Sequence, residues 1–228
     1  MTPISLVLAP HADDEVLGMG GTIARLVAQG ERVVVAVLTG HGSQPHPIWP
    51  AVHWDVVRGE CRDACSILGV QEVIFQELPA ACLDATPAWQ INAVVSQIVT
   101  QVQPSALYVP FGFDLHKDHG AISYAASVAA RPYTATARSI SRVLAYETLS
   151  ETHLAPPYMT PPFQPNVFID VTETIELKVR AMEAYKSQLQ VGNMPRSIGA
   201  LRSLAHLRGT HIGSAAAEAF VLLGEYVR

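Results

Sequence analysis

The chain has 228 residues, 49% of them hydrophobic and 15% charged, with a formal net charge of −5. That apolar content supplies a core and excludes a disordered chain, and the acidic balance, with no run of basic residues, argues against nucleic acid as the main partner. No apolar run approaches the roughly 18 residues of a membrane span, and Met1-Thr2-Pro3-Ile4-Ser5 lacks the basic start of a secretory leader, so a cytoplasmic chain with no membrane partner is expected.

In chain order, Ile4 to Ala9 is a continuous apolar run of the kind buried on both faces of a parallel sheet. Thr22 to Gln29 has helical character and stops at Gly30, which suits a C-cap. Glu31 to Thr39, dense in β-branched residues, predicts a second strand, and Gly40 to Pro50 a loop. Val52 to Leu68 reads as a helix, Glu72 to Gln76 as a short strand, Ala88 to Val102 as a helix and Ala106 to Pro110 as a fourth strand. A loop over Phe111 to Asp118 then leads to a helix from His119 to Ala129. A strand over Arg142 to Glu147, an irregular proline-bearing stretch over Ala155 to Pro165, and a strand over Val167 to Asp170 follow. Thr172 to Leu189 predicts a helix, Pro195 to Gly213 is ambiguous, and Ser214 to Leu223 looks helical. No repeat or linker interrupts the chain, so one domain over 1–228 is expected. Alternating strands and helices predict an α/β fold, a mostly parallel sheet with helices on both faces. In such sheets ligands bind beyond the carboxyl ends of the strands, where strand order reverses. With an order beginning 3-2-1-4, the loops after strands one and four meet there.

Those are the two loops that carry chemistry. The first strand runs into His11-Ala12-Asp13-Asp14-Glu15, one imidazole and three consecutive acids. The fourth runs into Asp114-Leu115-His116-Lys117-Asp118-His119, two histidines and two aspartates in six residues. Asp13 or Asp14 capping the next helix is the plain alternative. However, so many carboxylates repel one another unless a cation sits among them. His11, Asp14 and one histidine of the second loop make a three-donor set, as in catalytic zinc sites with one position left for water. Neighbouring side chains on a near-extended backbone point apart, so one aspartate ligates while the other is free to act as a general base.

His11-Ala12-Asp13-Asp14-Glu15 resembles the His-Pro-Asp-Asp-Glu motif of the PIG-L/LmbE-like N-deacetylases, and His116-Lys117-Asp118-His119 resembles that family's later His-x-Asp-His motif. Further likenesses fall in family order. They are Thr39-Gly40, Arg58-Gly59-Glu60 before Leu68-Gly69-Val70, Ser187-Gln188, and Arg208-Gly209 before Ala217-Glu218-Ala219-Phe220. The resemblance implies a Rossmann-like, three-layer α/β/α fold and zinc-dependent (Zn2+, or Fe2+) removal of acetyl from a small amino-sugar substrate of the N-acetylglucosamine type. It implies His11, Asp14 and His119 as metal ligands and Asp13 as general base. His116 would stabilise the tetrahedral intermediate or act as acid, with Asp118 behind it, and Arg58 would contact substrate. Relatives often assemble as trimers or hexamers, so a homo-oligomer is expected. Ala12 and Lys117 depart from the family's usual prolines, and neither carries a ligand atom.

Other features have plainer readings. Gly18-Met19-Gly20-Gly21 lacks the dinucleotide-loop spacing and suits close helix packing. His41, His46, His53, Trp49 and Trp54 flank a loop that is either ordinary surface or an aromatic substrate rim. Arg58 is otherwise an ion-pair partner of Glu60 or Glu31. Cys61, Cys65 and Cys82 fit free thiols, and a zinc site on the first two has only His53 nearby to extend it. Hydrolysis of another acyl-amine or carbamoyl group, or sugar binding without catalysis, are the rival functions.

Overall fold

The computed structural model describes residues 2–42 and 45–228; Ser43 and Gln44, within the expected Gly40–Pro50 loop, and Met1 lie outside the described residues. A seven-stranded sheet is built from β1 (Ile4–Ala9), β2 (Arg32–Gly40), β3 (Glu72–Pro79), β4 (Ala106–Pro110), β5 (Arg142–Tyr146), β6 (Val167–Asp170) and β7 (Ala217–Glu225), in the order β3-β2-β1-β4-β5-β7-β6. All pairings from β3 through β5 are parallel, and β7 alone runs against its neighbours. The helices are α1 (Asp14–Ala28), α2 (Ala51–Ile67), α3 (Ala88–Val102), α4 (Lys117–Ala129), α5 (Ile175–Ala184) and α6 (Ile198–Gly209), with a 3-10 turn at Leu83–Ala85.

Alternation along the central strands divides the core. Val7, Ala9, Val33, Val35 and Val37 face α1, α2, α5 and α6. Leu6, Leu8, Val34, Ala36 and Leu38 face α3 and α4. Both faces are covered, which is why β1 and β2 read as unbroken apolar runs. Parallel pairing of Leu6 with Leu107 and Val7 with Tyr108 puts the ends of β1 and β4 side by side, at the point where strand order reverses.

Three expectations are corrected. Ser214 to Leu223, expected as a helix, is largely β7, inserted antiparallel between β5 and β6. Ala and Glu are good helix formers, but propensity is a weak prior, and a strand slot that buries Ala217, Ala219 and Phe220 to 0–1% exposure overrides it. Helix α1 begins at Asp14, not Thr22, because the acids after β1 form its first turn. The helix expected from Thr172 to Leu189 is confined to Ile175–Ala184, and the ambiguous tail contains α6.

Candidate metal and catalytic site

The turn between β1 and α1 is locked from beneath. Pro10 C=O accepts the Thr39 N–H at 3.2 Å and the Thr39 hydroxyl at 2.7 Å. Asp13 has φ 125°, unusual for a residue with a side chain and a conformation that costs about 1–3 kcal/mol unless its surroundings hold it. Glu15 supplies part of that hold, accepting the Asp13 N–H at 3.1 Å while also accepting the Tyr185 hydroxyl. Burial pushes the Glu15 carboxyl up to about 7. Asp14 turns back to accept the His11 N–H at 2.8 Å. The third acid of the motif therefore serves the backbone, and the first two are free for chemistry.

The second loop brings α4 to the same place. His119 donates from Nδ1 to Asp114 at 2.7 Å, which fixes its tautomer and aims Nε2 at Asp14 Oδ2, 3.3 Å away. That Nε2 is buried and has no hydrogen-bond partner. His11 Nδ1 lies 3.3 Å from the same Asp14 oxygen. His116 caps α4, its Nδ1 accepting the Asp118 N–H at 3.2 Å, and its ring sits 4.4 Å from that of His11. Asp118, expected behind His116, is turned elsewhere: it accepts from His11 Nε2 at 2.9 Å and from the backbone N–H groups of Ala81 and Leu83 at 2.6 and 3.1 Å. The side chain of Asp118 thus orients His11. Its backbone N–H, not its carboxylate, reaches His116.

The donors of His11, Asp14 and His119 lie within 4.8 Å of one another. A tetrahedral ion with bonds of about 2.0–2.1 Å needs neighbouring donors about 3.3–3.4 Å apart, which the two 3.3 Å separations at Asp14 satisfy. A second grouping, His11 with His116 and Asp118, fits less well, since the Asp118 oxygens already take three hydrogen bonds. The electrostatics agree. Burial opposes the charge on Asp14, but His119 and His11 hold its carboxyl far below the usual carboxylate range. Burial also opposes protonation of His11, yet hydrogen bonds to Asp118 and Asp14 raise it to about 9. Protons on the imidazoles and a divalent cation are alternative ways of meeting the same carboxylates. Asp13 differs: burial and the neighbouring Asp14 charge push it well above its ordinary value, against the pull of Arg196.

These groups open into a cleft of about 410 Å³, lined also by Trp49, His53, Trp54, Arg58 and Arg196. Arg58 faces this cleft, but its ion-pair partner is neither Glu60 nor Glu31. Its Nη1 meets Glu77 at 2.6 Å and its Nη2 donates to the Gln76 carbonyl at 2.9 Å. Glu60 instead accepts from the Ser187 N–H at 2.9 Å. Arg196, missed in the sequence, reaches from the segment between α5 and α6 to within 3.5 Å of Asp13. Nothing around Arg196 in the sequence signals this. Asp114 was legible only as one more acid five residues before His119. Cys61 and Cys65 are buried free thiols, grouped with Glu15 under the first turn. Among the described residues no helix is long and apolar enough to cross a membrane.

Comparison with known proteins bears on the family and the fold. Residues 6–130 match the family described as PIG-L: GlcNAc-PI de-N-acetylase. Over 191 residues the chain is 30% identical to the uncharacterized deacetylase YaiS of Escherichia coli (strain K12), spanning 80% of this chain and 90% of that protein. Among solved structures, the N,N'-diacetylchitobiose deacetylase of Pyrococcus horikoshii shares the fold with a TM-score of 0.74 at 23% identity, over 96% of this chain and 83% of that one. GalB, the 4-carboxy-2-hydroxymuconate hydratase of Pseudomonas putida KT2440, shares it with a TM-score of 0.77 at 20% identity, over 100% of this chain and 98% of that one. The matched segment runs from β1 through α4 and so takes in both histidine- and acid-bearing loops, and on that match and the likeness to YaiS the chain belongs to the PIG-L family of de-N-acetylases.

Proposed function

We propose that this chain is a metal-dependent N-deacetylase that hydrolyses the acetamido group of a small N-acetylglucosamine-type sugar or glycoconjugate. The observation that carries the reading is the buried, partnerless Nε2 of His119, held 3.3 Å from an Asp14 oxygen that His11 also approaches at 3.3 Å. Buried polar atoms without partners are rare, and a cation held by His11, Asp14 and His119 would complete this one. The N/N/O donor set suits zinc and also iron(II). When bound, such an ion supplies Lewis acidity toward a carbonyl oxygen and acidifies water.

The chain's own residues supply the rest. Asp13 borders the cleft beside Asp14 and is the group to take a proton from the attacking water. Arg196 steadies that carboxylate from 3.5 Å. His116 accepts at Nδ1, so in the neutral ring Nε2 carries the hydrogen. Its role is to donate that hydrogen toward the oxygen that becomes negative when water adds to the acetyl carbon. The C–N bond then breaks, the nitrogen takes the proton held by Asp13, and acetate and a free amine leave. Trp49 and His53, which also line the cleft, stack at 5.7 Å with 14° between ring planes, and flat aromatic faces of this kind suit a sugar ring. The names of the family and of the Pyrococcus horikoshii protein point to the same substrate class. Because a hydratase shares the fold, the fold alone does not choose the reaction; the family and the donor set support deacetylation.

Acetate release is the test, measured on N-acetylglucosamine, N,N'-diacetylchitobiose and an N-acetylglucosaminyl glycoside, before and after chelation and with zinc or iron(II) returned. Release that chelator abolishes and metal restores is expected. A chain that binds metal yet releases acetate from none of these, while cleaving another acyl or carbamoyl amine, would overturn the substrate class.

A further inference from the structure

Helix α1 is broken one turn after it starts: Met19 leaves helical geometry at φ −149°, ψ 26°. A continuous helix would bond the Gly21 N–H to the Leu17 carbonyl. Here the Gly21 N–H donates to Glu218 Oε1 at 3.0 Å and the Thr22 N–H to Glu218 Oε2 at 2.6 Å. Lys178 Nζ donates to the Leu17 carbonyl at 2.9 Å and to Glu218 Oε1 at 2.5 Å. An ion pair from α5 and β7 therefore stands inside the hydrogen-bond ladder of α1, which is a known physical cause of a kink. The surroundings hold the break in place. A Cβ on Gly18 would lie 2.2 Å from the Tyr146 ring and one on Gly21 2.8 Å from Val171, and the Thr174 hydroxyl donates to the Gly21 carbonyl at 2.8 Å.

Lys178 and Glu218 are each 4% exposed, and neither lines the cleft. A buried ion pair is a poor source of net stability compared with apolar packing, so its place in the ladder calls for another account. The turn that the break cuts off is the one that carries Asp14. We propose that Lys178 and Glu218 are positioning residues that hold the first turn of α1, and with it Asp14, in register with His119 for cation binding. This rests on reading His11, Asp14 and His119 as the cation site.

The test compares zinc affinity and cobalt(II) absorption in the wild type, Glu218→Gln and the double variant Lys178→Met/Glu218→Gln. The double variant leaves no uncompensated charge in the interior, and its Gln carbonyl still accepts a backbone N–H. The zinc dissociation constant, by competition with a chromophoric chelator, is expected to rise about 10-fold or more, the usual cost of losing a group that orients ligands. The visible spectrum of the cobalt(II) protein shifts, and kcat falls while KM holds, because neither substituted residue lines the cleft and the Trp49 and His53 wall stays in place. A merely structural role would lower the melting temperature of the chelator-treated protein and leave zinc affinity and the cobalt spectrum of the folded protein as in wild type; that result in either variant overturns the proposal. Glu176→Gln, which breaks an exposed pair with Arg202, is the control expected to move neither reading. A wild-type chain that takes up neither zinc nor cobalt would instead overturn the cation site itself, and the positioning role with it.

Discussion

Two of the loops that wall the cleft are built in opposite ways. The turn after β1 is buried, with Asp13 and Asp14 at 4% and 3% exposure, and hydrogen bonds from three directions fix it. The loop between β2 and α2 is open. Ile48 is 59% exposed; among the loop's described residues His46 stacks on Trp49 at 5.0 Å, and the contacts outward include edge packing of His46 on Trp54 at 5.3 Å and a bond from His46 to the Ala80 carbonyl at 2.8 Å. The first loop spends its sequence on fixing its own backbone and two carboxylates. The second presents surface. Damage to the first should act on metal and turnover, and damage to the second on substrate affinity.

The sharpest break comes from Asp14→Ala. It removes the oxygen that both His11 and His119 face, so metal analysis should find no stoichiometric ion and acetate release should fall to the chelated level. Asp13→Asn is the more discriminating variant. Asn tolerates positive φ, so the turn should persist and metal content should stay at wild type. Loss of a general base then lowers kcat by about 10²–10⁴. Metal-replete Asp13→Asn protein with wild-type turnover would remove Asp13 from the chemistry. Asp118→Asn tests the orientation of His11. It keeps an acceptor for one N–H but loses the charge, and zinc affinity should weaken about 10- to 100-fold, with kcat recovering at saturating zinc. If Asp118 served His116 instead, zinc affinity would hold and kcat would stay low at saturating metal.

The same contrast sorts what could be read in the sequence. Continuous apolar runs located β1, β2 and β4, and a parallel sheet with right-handed crossovers leaves little choice about which loops meet. The candidate ligands were legible because histidines and acids at that local spacing are the chemistry a cation site needs. What lay beyond were relations across the chain. Glu218 sits 40 residues from Lys178, and although it falls within Ala217-Glu218-Ala219-Phe220 nothing local in either segment signals the pairing, yet the two cap opposite sides of one break in α1. Its segment, Ala217-Glu218-Ala219, carries helical propensity that only the slot between β5 and β6 overrules. The partner of Arg58 is Glu77 on β3, because Gly40 leaves room between them: a Cβ there would stand 2.4 Å from the Glu77 carboxylate and 2.7 Å from the Arg58 guanidinium.

The smallest expected effect lies on the open loop. Trp49→Ala removes a ring stacked on both His46 and His53 without touching any group near Asp14. Aromatic stacking contributes about 0.5–1.5 kcal/mol beyond simple burial, which as lost substrate affinity is about a 2- to 10-fold rise in KM. Metal content and kcat should stay at wild type, and the rise should be larger for a disaccharide than for a monosaccharide if the wall meets the far end of the substrate. A fall in kcat at unchanged KM would mean that this loop acts on the reacting centre after all, and the division between a fixed chemical turn and an open recognition wall would fail.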